Sequence, residues 1–199
     1  MMQHGRPTKS GALTRWLMRW RSRRERRERA ARLYVAAARC ARTPRFYREL
    51  GVPDTPQGRF EMVTAHVVLL TRALGRMGEM QLAQEVVDAF FRDVDRNLRE
   101  MGVGDLSVGR KMRRLAGRYL TRARELAAAL DREDEQALAA ILARGLGSPR
   151  PPDAGLHALA CHLLAEERRL SRMTHLPAEA NGIFGFHFEE ARPGGRGRS

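Results

Sequence analysis

Asp88-Ala-Phe-Phe-Arg-Asp-Val-Asp-Arg-Asn-Leu-Arg-Glu-Met-Gly-Val-Gly-Asp-Leu-Ser-Val-Gly-Arg-Lys111 decides how this chain folds. An acidic amphipathic helix runs into the stretch, Gly102 and Gly104 stop it, and a basic helix leaves it. From Glu79 to Gly102 there are six acids against three arginines; from Ser107 to Leu126 there are seven bases against one acid. Glycine ends a helix cheaply, and Asp105 or Ser107 can cap the next one. Two helices joined by so short a link form a hairpin or a sharp corner.

The pattern extends both ways. Upstream, Leu82, Val86, Phe90, Val94, Leu98 and Met101 recur at helical spacing, with Asp88, Asp93, Asp95 and Glu100 off that stripe. Phe60 to Met77 is apolar almost all round, which predicts the central helix. Gly75 and Gly78 allow a turn after it. Residues 51–60, Gly-Val-Pro-Asp-Thr-Pro-Gln-Gly-Arg-Phe, form a loop shaped by two prolines and two glycines, with Asp54 or Thr55 as the following cap. Thr43-Pro44 breaks the helix before it, leaving one short turn over residues 45–50. Downstream, Val108, Met112, Leu115, Tyr119, Leu126 and Leu130 face inward, and seven basic side chains face out. Short helices follow over residues 136–146 and 156–170, separated by a Pro-rich linker. No alternating strand pattern occurs. The chain is therefore all-α: a compact multi-helix bundle over residues 43–172, with a basic N-terminal helical arm (1–42) and an irregular tail (173–199). Residues 1–11 are expected to be disordered. Ile183, Phe184, Phe186 and Phe188 are expected to tuck onto the globule.

Charge is concentrated in the arm. Of a net +14, residues 1–42 hold +11, from thirteen Lys or Arg and two Glu. Only Lys9 and Lys111 are lysines, so part of the basicity follows from an Arg-rich composition, but composition does not explain its clustering. Leu13, Trp16, Leu17 and Trp20 share one helical face from Ala12 onward, and Arg15, Arg19, Arg23 and Arg24 occupy or flank the other. Such a helix suits a membrane interface, where each large apolar side chain contributes roughly 1.5–3 kcal/mol and each basic one about 1 kcal/mol. Packing of that face on the globule is the structural alternative, and RNA phosphates are the alternative anionic partner. From Ser22 to Ala41 the helix continues, with Leu33, Tyr34, Ala37 and Ala38 on a packing face. No run of 18 apolar residues is present to span a bilayer. Cys40 and Cys161 are isolated thiols, which fits a reducing compartment.

Catalytic chemistry finds little support. Arg92, Arg96 and Arg99 interleave with the acids of residues 88–100, so ion pairing explains them. His66 sits alone among apolar neighbours. His157 and Cys161 share a face but lack further ligands for a metal. The glycines at 102 and 104 lack phosphate-loop spacing, and the basic helix after them lacks the tight turn of a DNA reader.

Two stretches together carry a resemblance: Phe46-Tyr47 with Val52-Pro53-Asp54-Thr55, Gly58-Arg59-Phe60 and His66, and then residues 93–110. The chain over about residues 33–145 resembles the ubiquinol–cytochrome c chaperone family. It departs from the family's usual text at Thr121-Arg122 and Arg144-Gly145. The resemblance implies an all-helical, non-enzymatic assembly factor for respiratory complex III, with no cofactor or metal of its own. Mitochondrial relatives bind newly made cytochrome b, together with a small helical partner, near the ribosomal exit tunnel. The implied partner-contact residues are Tyr47, Pro53, Asp54, Arg59, Phe60, His66, Asp93, Asp95, Arg96, Arg99, Glu100, Gly102, Gly104, Asp105 and Arg110. The implied setting is the bacterial cytoplasm at the inner membrane, or the mitochondrial matrix if the first 24 residues, Arg-rich and free of acids, act as a presequence. The competing function is an RNA- or ribosome-binding helical module unconnected with respiration.

Overall fold

A computed structural model describes residues 9–148, 150–177 and 182–185, with side chains from Trp20 onward except Asp105 and Leu106. Among these residues seven helices follow in order: α1 (Lys9–Ala41), α2 (Pro44–Arg48), α3 (Pro56–Arg76), α4 (Met80–Glu100), α5 (Asp105–Asp131), α6 (Glu135–Leu146) and α7 (Ala154–Ser171). No strand occurs among the described residues. The disorder expected of residues 1–8 and the packing expected of Phe186 and Phe188 lie outside the described residues. α1 already includes residues 9–11.

α3 is the axis. Pro56 opens it, and the Thr55 hydroxyl accepts the Gly58 N–H at 3.1 Å. Met62, Val67, Leu69, Leu70 and Leu74 are all but inaccessible to solvent. The helix packs against α1, α4, α5, α6 and α7. Its entry loop folds back so tightly that a Cβ on Gly58 would lie 2.0 Å from the Pro53 carbonyl oxygen.

The core reaches back into the expected arm. Ala30, Leu33, Tyr34, Ala37, Ala38 and Ala41 form the buried face of α1, which packs against α3 and α4. One helix thus runs from the basic segment into the bundle, and a boundary at residue 42 would cut away part of the core. Arg27 and Arg29 mark the junction by pairing with Glu85 and Glu79.

The α4–α5 corner is a glycine-capped turn. Gly102 has φ +73°, and the Val103 N–H reaches back to the Leu98 carbonyl at 3.2 Å. That six-to-one bond, with glycine in the left-handed region, satisfies carbonyls a helix end otherwise leaves open. Gly104 is the cap residue of α5, without a side-chain hydrogen bond. Asp105 and Ser107 therefore lie inside the helix, in its first turn, and not in the capping role expected of one of them.

Three buried glutamates tie the packed helices together. Glu61 of α3 accepts from Arg122 Nε at 2.9 Å and from Arg118 at 3.3 Å. Arg122 also donates to the Ile141 carbonyl at 3.0 Å, so one carboxylate joins α3, α5 and α6. Gly145 makes this possible, because a Cβ there would meet Glu61 Oε2 at 2.5 Å. Arg122 and Gly145 thus meet at one carboxylate. Glu167 of α7 accepts from Arg72 and Arg76 of α3 at 2.9 and 2.7 Å. Glu166 accepts the Gly185 N–H at 3.1 Å, and Arg169 donates to the Ile183 carbonyl. Together they hold Ile183 and Phe184 of the tail against the core.

His66 is fully buried and presents no surface to a partner, contrary to the contact role expected of it. Its Nδ1 donates to the Met62 carbonyl at 2.8 Å, and its ring lies 5.7 Å from Phe46 and 5.4 Å from Phe184. His162 also packs against Phe46, with ring centroids 5.5 Å apart. Burial pushes the His66 imidazole down to about 4 and His162 to about 3.

Two outcomes follow. Glu61→Gln removes the buried carboxylate that Arg118 and Arg122 share, while Arg122 keeps Glu125 at 2.6 Å and the Ile141 carbonyl, and is expected to cost about 1–3 kcal/mol in urea unfolding. Gly145→Ala crowds the same carboxylate and is expected to cost about 1–3 kcal/mol; unchanged midpoints would show that this pair does not hold the three helices. Both histidines are neutral when folded and gain protons on unfolding, so stability is full above pH ~6.5 and falls as pH drops toward the folded-state values. Between pH 6.5 and 5 each histidine adds a slope of up to about 1.4 kcal/mol per pH unit. His66→Leu is expected to make that fall shallower in pH-dependent urea titrations, whatever it does at pH 7.5.

Candidate functional site

The exposed chemistry centres on Asp93. Tyr34 of α1 donates its hydroxyl to Asp93 Oδ2 at 2.7 Å, and Arg96 pairs with the other oxygen. Burial works against the Asp93 carboxylate, but Tyr34 and Arg96, helped by Arg42, outweigh it and hold the group below the usual range. Burial and the same hydrogen bond lift the Tyr34 phenol above its usual range. Beneath this pair lies an aromatic floor. Phe90 packs against Tyr34, Phe60, Phe91 and Tyr119 with ring centroids 5.0–6.1 Å apart. Those rings come from α1, α3, α4 and α5, so the site stands on a cluster that four helices share.

Two recesses flank Asp93. One, of about 570 Å³, opens between α3, α4 and α5. Pro56, Gln57, Arg59 and Phe60 form one wall, and Asp93, Val94, Asn97, Leu98, Glu100 and Met101 form another. Arg118 closes the side, its guanidinium 5.8 Å from the Phe60 ring centroid. Met101 is 61% exposed at this recess, although the helical stripe predicts it inside. The other recess, of about 980 Å³, lies between α1 and α4 and shares Tyr34, Arg42 and Asp93 with the first.

The loop and corner stretches singled out in the sequence therefore meet across one cavity. Arg59, Phe60, Asp93 and Glu100 line it directly, and Arg96 stands on its neighbour. Asp54 orients Arg59 through an ion pair at 2.7 Å. Pro53 acts through its carbonyl packed on Gly58. The Tyr47 hydroxyl donates to the Ala41 carbonyl at 2.9 Å and so secures the end of α1. Asp95 and Arg99 pair with each other at 2.9 Å and line neither recess. Gly102 and Gly104 shape the corner, Arg110 is exposed on α5, and the side chain of Asp105 lies outside the described residues. In the arm, Trp20 is 54% exposed with the Arg24 guanidinium 6.0 Å from its ring centroid. Arg23 is exposed as well, while the side chains of Arg15, Trp16 and Arg19 are not described. The sequence reading missed Tyr34, Arg42, Leu115 and Arg118 as part of the site. A tyrosine on an alanine-rich packing face was the available signal, since its hydroxyl needs a partner.

No set of three metal-ligating side chains gathers among the described residues. His157 pairs with Glu135 at 3.0 Å, and Cys40 and Cys161 are free thiols. Asp88 accepts from Gln84 and Asp95 from Arg99 on α4, while His66 is sealed in the core. His66 is therefore not brought together with Asp88 or Asp95. No described helix is long and apolar enough to cross a membrane.

Comparison with known proteins agrees with this architecture. The structure is similar to the crystal structure of the Cbp3 homolog from Brucella abortus, with a TM-score of 0.70 and 36% identity. The match covers 84% of this chain and 94% of that one. No curated protein matches significantly. The family model described as ubiquinol-cytochrome C chaperone matches residues 48–177, a span that contains both motif stretches and the recess between them. The chain belongs to the ubiquinol-cytochrome C chaperone family.

Proposed function

We propose that the protein is an assembly chaperone for the ubiquinol–cytochrome c reductase complex, and that newly made cytochrome b docks in the recess between α3, α4 and α5. The observation that carries this is the convergence of the 52–60 loop and the 93–110 corner on one cavity. Its walls suit an incompletely assembled membrane protein. Phe60, Val94, Leu98, Met101 and Leu115 offer apolar contact, and Arg59, Arg118, Asp93 and Glu100 offer polar anchors at the edges. The family description supports the assembly role. Action of this kind requires binding and release, not turnover.

The basic segment of α1 supplies a reason for the protein to be where such a client emerges. Trp20 with Arg21, Arg23 and Arg24 is exposed on a helix that continues into the core. We assign this segment to an anionic membrane surface, which places the chaperone on the cytoplasmic face of a bacterial inner membrane. A second reading, an RNA- or ribosome-binding module, is favoured by one observation: Arg110, Lys111, Arg113 and Arg114 are exposed together on α5.

Deletion of the gene is expected to lower the b-type haem signal in reduced-minus-oxidised spectra of membranes and to abolish ubiquinol–cytochrome c reductase activity. Met101→Glu and Arg59→Glu, both at exposed or rim positions, are expected to reproduce the defect with the protein folded and present. Removing residues 1–19 is expected to reduce membrane sedimentation in a salt-dependent way while leaving the core intact. Normal reductase activity in the deletion strain, together with ribosome co-sedimentation lost on reversing the α5 arginines, would instead establish the RNA reading.

A further inference from the structure

We propose that the groove between α1 and α4 is a second docking surface, and that it receives an acidic amphipathic helix of a partner polypeptide. The groove adjoins the recess assigned to cytochrome b and shares Tyr34, Arg42 and Asp93 with it, whereas Arg92 lines the groove alone; the proposal stands whether or not that assignment holds. Arg39 and Arg42 stand on the α1 bank and Arg92 and Arg96 on the α4 bank; Asp93 is the one carboxylate among the lining residues. Tyr34 and Arg96 already satisfy Asp93. Arg42 and Arg92 are exposed and form no ion pair among the described residues. Arg42 and Arg92 therefore leave the groove with positive charge to offer a ligand.

The floor decides between anionic ligands. Val35 is 53% exposed there, and Ala31, Ala38 and Ala89 lower the surface around it. Small side chains let a third helix approach two packed ones closely, and an exposed valine gives its apolar face a contact. A phosphate-bearing polymer has no use for that valine, and the groove presents no free aromatic face for a base, since Tyr34 is buried and bonded to Asp93. A flat bilayer does not enter a concavity of about 980 Å³. What fits is a helix with small apolar residues on one face and Glu or Asp along both flanks.

The test uses the full-length protein and a fluorescent 18-residue peptide of that design, against the same peptide with Lys replacing Glu. Saturable binding of the Glu peptide is expected, weakening as salt rises. Arg42→Glu and Arg92→Glu are each expected to weaken it about tenfold or more, as rim charges set recognition, while Arg172→Glu at the end of α7 leaves it unchanged. Circular dichroism confirms that the variants are folded. Equal binding of the Lys peptide, insensitivity to either charge reversal, or absence of Glu-peptide binding would overturn the proposal. If vesicles containing anionic phospholipid bind through Arg42 and Arg92 and the peptide does not, the groove is a lipid site and the proposal falls.

Discussion

Five of the other six described helices are placed by the need to cover α3. A helix apolar on all sides has no face that water tolerates, so it must be surrounded, and five other helices surround it. Burial on that scale supplies the main driving force. It also creates a problem, because α3 carries Glu61 into the interior. An ionised carboxylate taken out of water is costly unless it is paired and hydrogen-bonded. Arg118 and Arg122 meet that requirement, and in doing so they set how α5 and α6 lie against the centre. Glu167 with Arg72 and Arg76 does the same for α7. Apolar burial makes the bundle compact, and the paired charges choose one arrangement among the compact ones.

Much of this was legible in the residues. Six of the seven helices follow from periodicity and from local stop and start signals such as Thr43-Pro44, Thr55-Pro56 and Gly102. The short turn at α2 follows from proline chemistry. What escaped were relations between distant positions. Tyr34 and Asp93 are 59 residues apart and Arg122 is 61 from Glu61; no local pattern announces either bond. The packing face of Leu33, Tyr34, Ala37 and Ala38 was legible, but the division at residue 42 counted it with the basic arm and not with the bundle whose core it joins. A lone histidine in an apolar run reads as a core or edge residue; only the family resemblance offered His66 as a contact, and it is sealed in the core. Asp105 looked like a cap because aspartate commonly is one, yet the helix begins at that residue and Gly104 precedes it.

For the site, the two motif stretches were visible as unusual text, but their meeting was not. They converge because α3 begins where α4 ends: the loop that opens the central helix lies beside the corner that closes its neighbour. The Tyr34–Asp93 pair forms the wall between the two recesses. The aromatic floor below it draws on four helices, so the wall is held from several sides. Rigid footing of this kind lowers the ordering cost of any partner that docks there.

The unbroken course of α1 has a mechanical consequence. Thirty-three residues without a turn make a rod of about 50 Å. Its far third is cemented into the bundle by Leu33, Ala37 and Ala41, so the near end has no pivot. Whatever grips that end fixes not only the distance of the globule but also its compass bearing. A flexible tether would leave the recesses to face any direction; a mast sunk into the deck turns the whole hull with it.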